Sequence, residues 1–280
     1  MSQKKLFVET YGCQMNVDDS LRMGKLLEPL NYGLTLIPEE ADLILINTCS
    51  VREKASHKAH SAIGRYYKVK AIKPNTLMGL TGCQAQAEGK SLLKKFHYLD
   101  FVMGPDQMAQ LPSIVKNLEE GKSKSIDGTQ RIKPQDFKFV QLHLNSQENP
   151  ASAFVTIMKG CDNFCSFCIV PFVRGREVSR PSDEIIAEVQ ALCDRGVKEV
   201  TLLGQNVNSY GSKNTGEISF SKLLYRIANE TTIQRLRFTT SHPKDVGEDL
   251  AIAFKEIDVL AKHLHLPVQS GSNRVLEKMY

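Results

Sequence analysis

No stretch of this 280-residue chain offers the roughly 18 consecutive apolar residues that a membrane-spanning helix needs, and the N-terminus passes from Lys4-Lys5 straight into the strand-like Leu6-Phe7-Val8. Neither export nor membrane insertion is expected, and a cytoplasmic protein without membrane partners is. The small, evenly spaced cysteine frameworks of secreted domains are also missing. Seven cysteines cannot pair completely, which favours a reducing compartment where thiols serve metals or catalysis. No Ser/His/Asp set or paired carboxylates are evident, so acid–base hydrolysis is not the chemistry to expect. With 41% hydrophobic and 24% charged residues, the composition is that of an ordinary globular protein. Its length suits about two domains.

The net charge of +5 is unevenly placed: residues 1–145 hold 20 Lys/Arg against 15 Asp/Glu, and the remainder holds 16 against 16. Part of the excess lies in Arg52, Lys54, Lys58, Arg65, Lys68, Lys70 and Lys73. Such a stripe suits phosphates, and it equally suits a solvated helix face.

What the chain does have is Gly160-Cys161-Asp162-Asn163-Phe164-Cys165-Ser166-Phe167-Cys168, three cysteines at C-x-x-x-C-x-x-C spacing. The apolar 154–158 run before it reads as a buried strand, so the cysteines fall on the loop at that strand's C-terminal end, where α/β folds keep their sites. Four thiolates normally hold an iron–sulfur cluster, and three would leave one iron open to a ligand. The alternatives are zinc, for which no further His or Cys follows at finger spacing (His143 and His242 are distant), or unligated thiols.

The first 120 residues alternate strand and helix signals, as in a parallel α/β sheet. Strands are expected at 6–8, 43–46, 76–80 and 101–103. The first helix is placed at 17–30, with Asn16 as N-cap and Asp18 and Asp19 in its first turn. A second begins from a Ser50/Glu53 capping box and reaches about 68; a third spans 84–95, and a last one stops at Gly121. Cys13, Cys49 and Cys83 then recur 36 and 34 residues apart, each in the turn from a strand into a helix. In a parallel sheet these turns share one edge, so the three can form a second thiolate site. Three separate buried cysteines are the alternative.

Residues 126–150 read as a linker, with a short paired segment around 137–144, between domains at 1–125 and 151–280. Beyond it, strands are expected at 153–158, 199–203, 235–239 and 263–266, and helices at 183–195 (capped by Ser182, closed by Gly196), 221–229 and 272–280. Four βα units suggest a (β/α) barrel or an open part of one. Arg174 and Arg176 would meet an anion or a carboxylate such as Glu177. Cys193 reads as a packed or surface thiol.

The stretches 9–16, 47–53, 160–177, 202–210 and 265–272 resemble the radical S-adenosylmethionine (SAM) methylthiotransferases, nearly across the whole chain. The resemblance implies an N-terminal methylthiotransferase domain followed by a partial radical SAM barrel, with the C-terminal part of the barrel and a TRAM domain that helps bind RNA lying outside this chain. It implies two 4Fe-4S clusters, one on Cys161, Cys165 and Cys168 that cleaves SAM and an auxiliary one on Cys13, Cys49 and Cys83. One SAM would methylate a sulfur at the auxiliary cluster, and a second would yield the 5′-deoxyadenosyl radical that takes hydrogen from C2 of an adenine. The motif wording points to the prenylated adenosine beside the anticodon of a tRNA. Relatives acting on a threonylcarbamoyl-adenosine tRNA or a ribosomal protein use the same six cysteines. Polar residues at the barrel strand ends, Gln205, Asn206, Asn208, Ser241, His242 and Gln269, become candidates to hold SAM or a substrate base, although each alone reads as a turn or cap residue. An electron donor and a sulfur source are further partners, and a monomer is expected. A simple electron-transfer protein is the competing reading from another class.

Overall fold

The computed structural model describes residues 3–51, 53–141, 150–214 and 216–279. It divides into two compact units, Met1–Leu142 with Phe172–Arg174, and His143–Pro171 with Gly175–Tyr280.

The N-terminal unit is built on six parallel strands, β1 (Lys4–Tyr11), β2 (Tyr32–Leu34), β3 (Leu43–Thr48), β4 (Leu77–Gly82), β5 (Phe101–Met103) and β6 (Ile126–Gly128), in the order β2-β1-β3-β4-β5-β6. The connections carry helices α1 (Gln14–Leu27), α2 (Glu53–Ile72), α3 (Cys83–Glu88), α4 (Lys90–Lys95) and α5 (Leu111–Glu119). Strand β3 is buried throughout, because both faces of a parallel sheet are covered. Its period of two sends Ile44 and Ile46 to a core with Ala59, Ile63, Tyr66, Met78 and Leu80, and Leu43 and Leu45 to a second core with Met23, Leu27, Phe101, Leu111 and Val115. Each fully buried aliphatic side chain contributes about 1.5–3 kcal/mol.

Several local expectations are corrected. Helix α1 starts at Gln14, with Cys13 at the N-cap and no acid in its first turn. Asn16 is not the cap; it lies three residues in and its Oδ1 accepts from the Cys13 backbone N–H (3.3 Å). The helix ends at Leu27, where Pro29 opens a 3₁₀ turn. The Ser50 hydroxyl is buried with no hydrogen-bond partner, so it forms no capping box. Helix α2 runs one turn further than expected, to Ile72. The span 84–95 is broken into α3 and α4 by Gly89, at φ +51°. Edge strand β2 was not anticipated, and residues 126–128, expected to open the linker, form β6 instead. Of the paired segment expected around 137–144, residues 137–141 form no strand and 142–144 lie outside the described residues.

The second unit holds β7 (Ser152–Thr156), β8 (Met158–Lys159), β9 (Val178–Ser179), β10 (Glu199–Leu203) and β11 (Arg235–Phe238), with helices α7 (Ser182–Asp194), α8 (Phe220–Glu230), α9 (Glu248–Glu256) and α10 (Asn273–Met279), while the division of the chain falls within the short helix α6 (Val170–Val173), after Pro171. Strands β7, β10 and β11 pair in parallel in the order β11-β10-β7, and β8 pairs antiparallel with β9. Their core joins Val155, Val200, Leu202 and Leu236 to Ile185, Val189, Leu223 and Ile227 of α7 and α8. Ser182 is the first helical residue rather than the cap, and its N–H donates to Glu217 (3.0 Å). Helix α8 is capped by Ser219. No strand forms at 263–266. One parallel bridge joins Leu236 to Leu260, and beyond β11 the Ser241 N–H donates to the His265 carbonyl (3.2 Å), next to Thr240 at φ +70°. Helix α9 was not anticipated. Among the described residues no helix is long and apolar enough to cross a membrane.

Candidate metal centres

In the N-terminal unit the register places Tyr11 opposite Thr48, and Thr48 opposite Gly82. The next residues along three neighbouring strands are therefore Gly12, Cys49 and Cys83, with Cys13 one further. Parallel strands stand about 4.8 Å apart, so the cysteines gather on one sheet edge. The Cys49 N–H donates to the Tyr11 carbonyl (2.9 Å), and a Cβ on Gly12 would lie 3.0 Å from that of Cys49. Cys49 and Cys83 are buried and Cys13 is half-buried.

A buried polar floor lies beneath them. Asn47 donates to the Asn16 carbonyl (2.8 Å) and to Ser20 Oγ (2.9 Å), and accepts from Asn16 Nδ2 (3.2 Å). Arg174 belongs to this unit: its Nη2 donates to Asp19 (2.6 Å) and its Nε to the Cys83 sulfur (3.2 Å). Burial opposes the Arg174 charge, but Asp19 and the neighbouring thiols outweigh it and hold the guanidinium pKa well above its ordinary value. Burial pushes the Cys83 thiol up, with Arg174 pulling the other way.

In the second unit the cysteine loop begins at Gly160, where φ is +78° and a Cβ would lie 2.0 Å from the Arg176 carbonyl oxygen. Only glycine fits there. The Gly160 N–H donates to Gln205 Oε1 (2.5 Å), the Cys161 N–H to the Gly175 carbonyl (3.1 Å), and the Cys168 N–H to the Cys165 carbonyl (2.9 Å). Asp162 accepts a fork from Arg176 (2.7 and 3.1 Å) and the Glu177 N–H (3.1 Å). The three cysteines are half-buried, and burial pushes the Cys161 thiol up to about 11.

Among the described residues no three His, Cys, Asp or Glu side chains are grouped as for one ion. A single zinc would need its thiolates within roughly 4 Å of one another, whereas a four-iron cube binds each thiolate through a different iron and spreads them wider. Buried polar atoms without partners lie beside both cysteine sets: Ser50 Oγ and Gln84 Oε1 next to Cys49 and Cys83, and Asn163 Nδ2 inside the loop. Orphaned groups of this kind suit a site that holds a further group.

Residues 5–104 match a family described as "Uncharacterized protein family UPF0004", and residues 155–280 match the radical SAM superfamily. The chain is 49% identical over 279 residues to a tRNA-2-methylthio-N(6)-dimethylallyladenosine synthase of Syntrophus aciditrophicus (strain SB), covering 100% of this chain and 60% of that protein. It is also 49% identical over 276 residues to the synthase of that name in Myxococcus xanthus (strain DK1622), covering 99% and 58%. The chain is thus similar over nearly its whole length to these synthases, and its second half matches the radical SAM superfamily. It spans about 60% of the length of the curated relatives it matches. In fold it is similar to the radical SAM methyltransferase TsrM from Kitasatospora setae, with a TM-score of 0.66 at 12% identity, covering 98% of this chain and 61% of that one.

Against this family background the remaining expected residues fall into separate groups. Gln205 is engaged by Gly160, at the entry to the cysteine loop. Asn206 is buried, with Nδ2 donating to Asp245 (2.7 Å) and Oδ1 lacking a partner; Ser241 is buried with its hydroxyl unpartnered. Asn208 and His242 bond reciprocally, side chain to backbone (2.8 and 2.9 Å), and burial lowers the His242 pKa. Gln269 stands exposed at φ +61°. A cavity of about 260 Å³ adjoins this edge, lined by Asn208, Tyr210, Glu217, Phe220, Asp245 and Asp249 among others.

Glu177 partners neither Arg174 nor Arg176 as expected; it accepts from Ser209 Oγ. Cys193 packs half-buried against the core. Of the basic stripe, Lys70 pairs with Asp100, Lys73 with Asp42, and Arg65 bonds Tyr11 Oη and stands 3.8 Å from Glu9. Lys54, Lys58 and Lys68 are exposed, and Arg52 lies outside the described residues. The role of Arg174 escaped the sequence, because its partner Asp19 is 155 residues away.

Proposed function

We infer that this chain is the cluster-bearing part of an enzyme that converts a prenylated adenosine beside the tRNA anticodon to its 2-methylthio derivative. The observation that carries the reading is the gathering of Cys13, Cys49 and Cys83 on one edge of a parallel sheet, in a chain that also has the C-x-x-x-C-x-x-C loop directly after β8. Cys161, Cys165 and Cys168 would hold one 4Fe-4S cluster and Cys13, Cys49 and Cys83 the other. When bound, such a cluster with an open iron supplies the electron that cleaves SAM to a radical able to attack an inert aromatic C–H.

The chain's own residues do the positioning. Gly160, Gln205 and the Asp162–Arg176 fork fix the entry and exit of the loop, while Asn16 and Asn47 fix the turns that bear Cys13 and Cys49. Asn206 and Ser241, each with a buried unpartnered atom, are the best placed of the expected residues to receive polar groups of SAM, ahead of Gln205, His242 and Gln269. A tRNA, an electron donor and a sulfur source are the partners of this reading, in a cytoplasmic and monomeric enzyme. The test compares Cys161→Ala with Cys49→Ala in the enzyme extended to its relatives' length. Cys161→Ala is expected to abolish 5′-deoxyadenosine formation, and Cys49→Ala to keep SAM cleavage but lose 2-methylthioadenosine by nucleoside mass spectrometry. Methylthiolated product from Cys49→Ala would overturn the assignment.

A further inference from the structure

Arg174 carries a full charge into the interior of the N-terminal unit, with a side chain only 5% exposed. Burying a guanidinium costs several kcal/mol unless its charge and donors are matched. Asp19 matches the charge at one end of the fork, and the donor at the other end, Nε–H, is spent on a sulfur, Cys83 Sγ at 3.2 Å. An apolar side chain would fasten the Phe172–Arg174 segment at lower cost. The three thiols are also not equivalent. Cys49 accepts from the Val51 N–H (3.3 Å), Cys13 faces the Asn16 amide oxygen (3.4 Å), and Cys83 accepts from the Arg174 guanidinium (3.2 Å).

Hydrogen bonds to ligating sulfur and nearby net charge set the potential of an iron–sulfur group. A donor and a positive charge at the sulfur stabilise the reduced, more negative state. We propose that Arg174 is a positioning residue of the Cys13/Cys49/Cys83 centre, which raises the reduction potential of a cluster bound there through its Nε–H on Cys83, with Asp19 fixing the fork and tempering its charge. The proposal rests on the assignment of that centre above.

The test uses the full chain with Cys161, Cys165 and Cys168 all replaced by Ala, so that only the N-terminal centre remains. After anaerobic reconstitution it should hold about four irons, and its midpoint potential is measured by redox titration followed by electron paramagnetic resonance. Arg174→Gln should keep the iron and move the potential to more negative values. Arg174→Lys, which keeps the charge but loses the fork, should move it less in the same direction. Asp19→Asn, which removes an anion and leaves the donor, should move it the opposite way; a residue that only braced the fold would not give these opposed signs. If Arg174→Gln fails to retain iron, the opposed shifts of Arg174→Lys and Asp19→Asn decide, and their absence overturns the proposal. Iron bound with an unmoved potential in all three variants overturns the role of Arg174 alone. No iron in the triple-Ala parent overturns both the proposal and the centre it rests on.

Discussion

Gly82, the residue before Cys83, gives the sharpest test of how tightly the N-terminal centre is built. Its backbone lies at φ +90° and ψ −161°, a region that side-chain-bearing residues avoid at about 1–3 kcal/mol. A Cβ there would stand 2.6 Å from the Thr48 carbonyl oxygen and 2.3 Å from Asn47 Oδ1. The carbonyl belongs to the edge of β3 and cannot swing away, and moving Asn47 breaks its buried bonds to Asn16 and Ser20, each worth about 1–3 kcal/mol when left unmade. Gly82→Ala should therefore destabilise the N-terminal unit by about 3–5 kcal/mol. Hydrogen exchange along a urea series reads this directly, with peptides of the second unit as the internal reference. Gly64→Ala is the control: it lies in helix α2 with nothing within 4 Å of an added Cβ, and should stabilise by about 0.5–1 kcal/mol. A loss below about 1 kcal/mol for Gly82→Ala would refute the claim that the backbone at Cys83 is fixed by its neighbours.

Other outcomes follow from buried charge. Arg180 is almost fully buried and pairs with Glu188 at 2.5 Å, so Arg180→Ala should cost about 3–5 kcal/mol in urea unfolding by taking this buried cation away from the Glu188 carboxylate; the double replacement Arg180→Met with Glu188→Leu should recover most of that, and no recovery would refute the charge argument. Burial raises the Glu177 carboxyl pKa above its ordinary 4.5. Its contribution to stability is then fully present below about 4.5 and is lost as pH rises through the raised value. Urea midpoints of the parent should fall relative to those of Glu177→Gln over that window, and parallel curves would contradict the raised pKa.

The parts of this fold visible in the sequence are those dictated by local chemistry. Leu43–Ile46 declares a buried strand through an unbroken apolar run, and Cys13, Cys49 and Cys83 are recognisable because each follows such a strand at βα spacing. What stayed hidden depends on distant partners. The three-residue edge strand β2 has no periodicity of its own and exists because β1 offers it hydrogen bonds. The strand expected at 263–266 has suitable residues, but opposite it the backbone at Thr240 lies at φ +70°, for which the residue type carries no signal, and the Ser241–His265 backbone bond stands where a ladder was expected. Asn16 reads as a cap on residue type alone, yet Cys13 takes that position because the turn is set by the Asn16–Asn47 network. Arg174 was visible only as a cation seeking an anion. Which anion it found, and that a sulfur shares it, is a property of the tertiary structure.

Iron and acid-labile sulfide per chain, counted after anaerobic reconstitution of the parent and of Cys49→Ala, test the two-centre account most directly. The account predicts about eight irons in the parent and about four in the variant. Four in both, or a stoichiometric zinc content without iron, would contradict it.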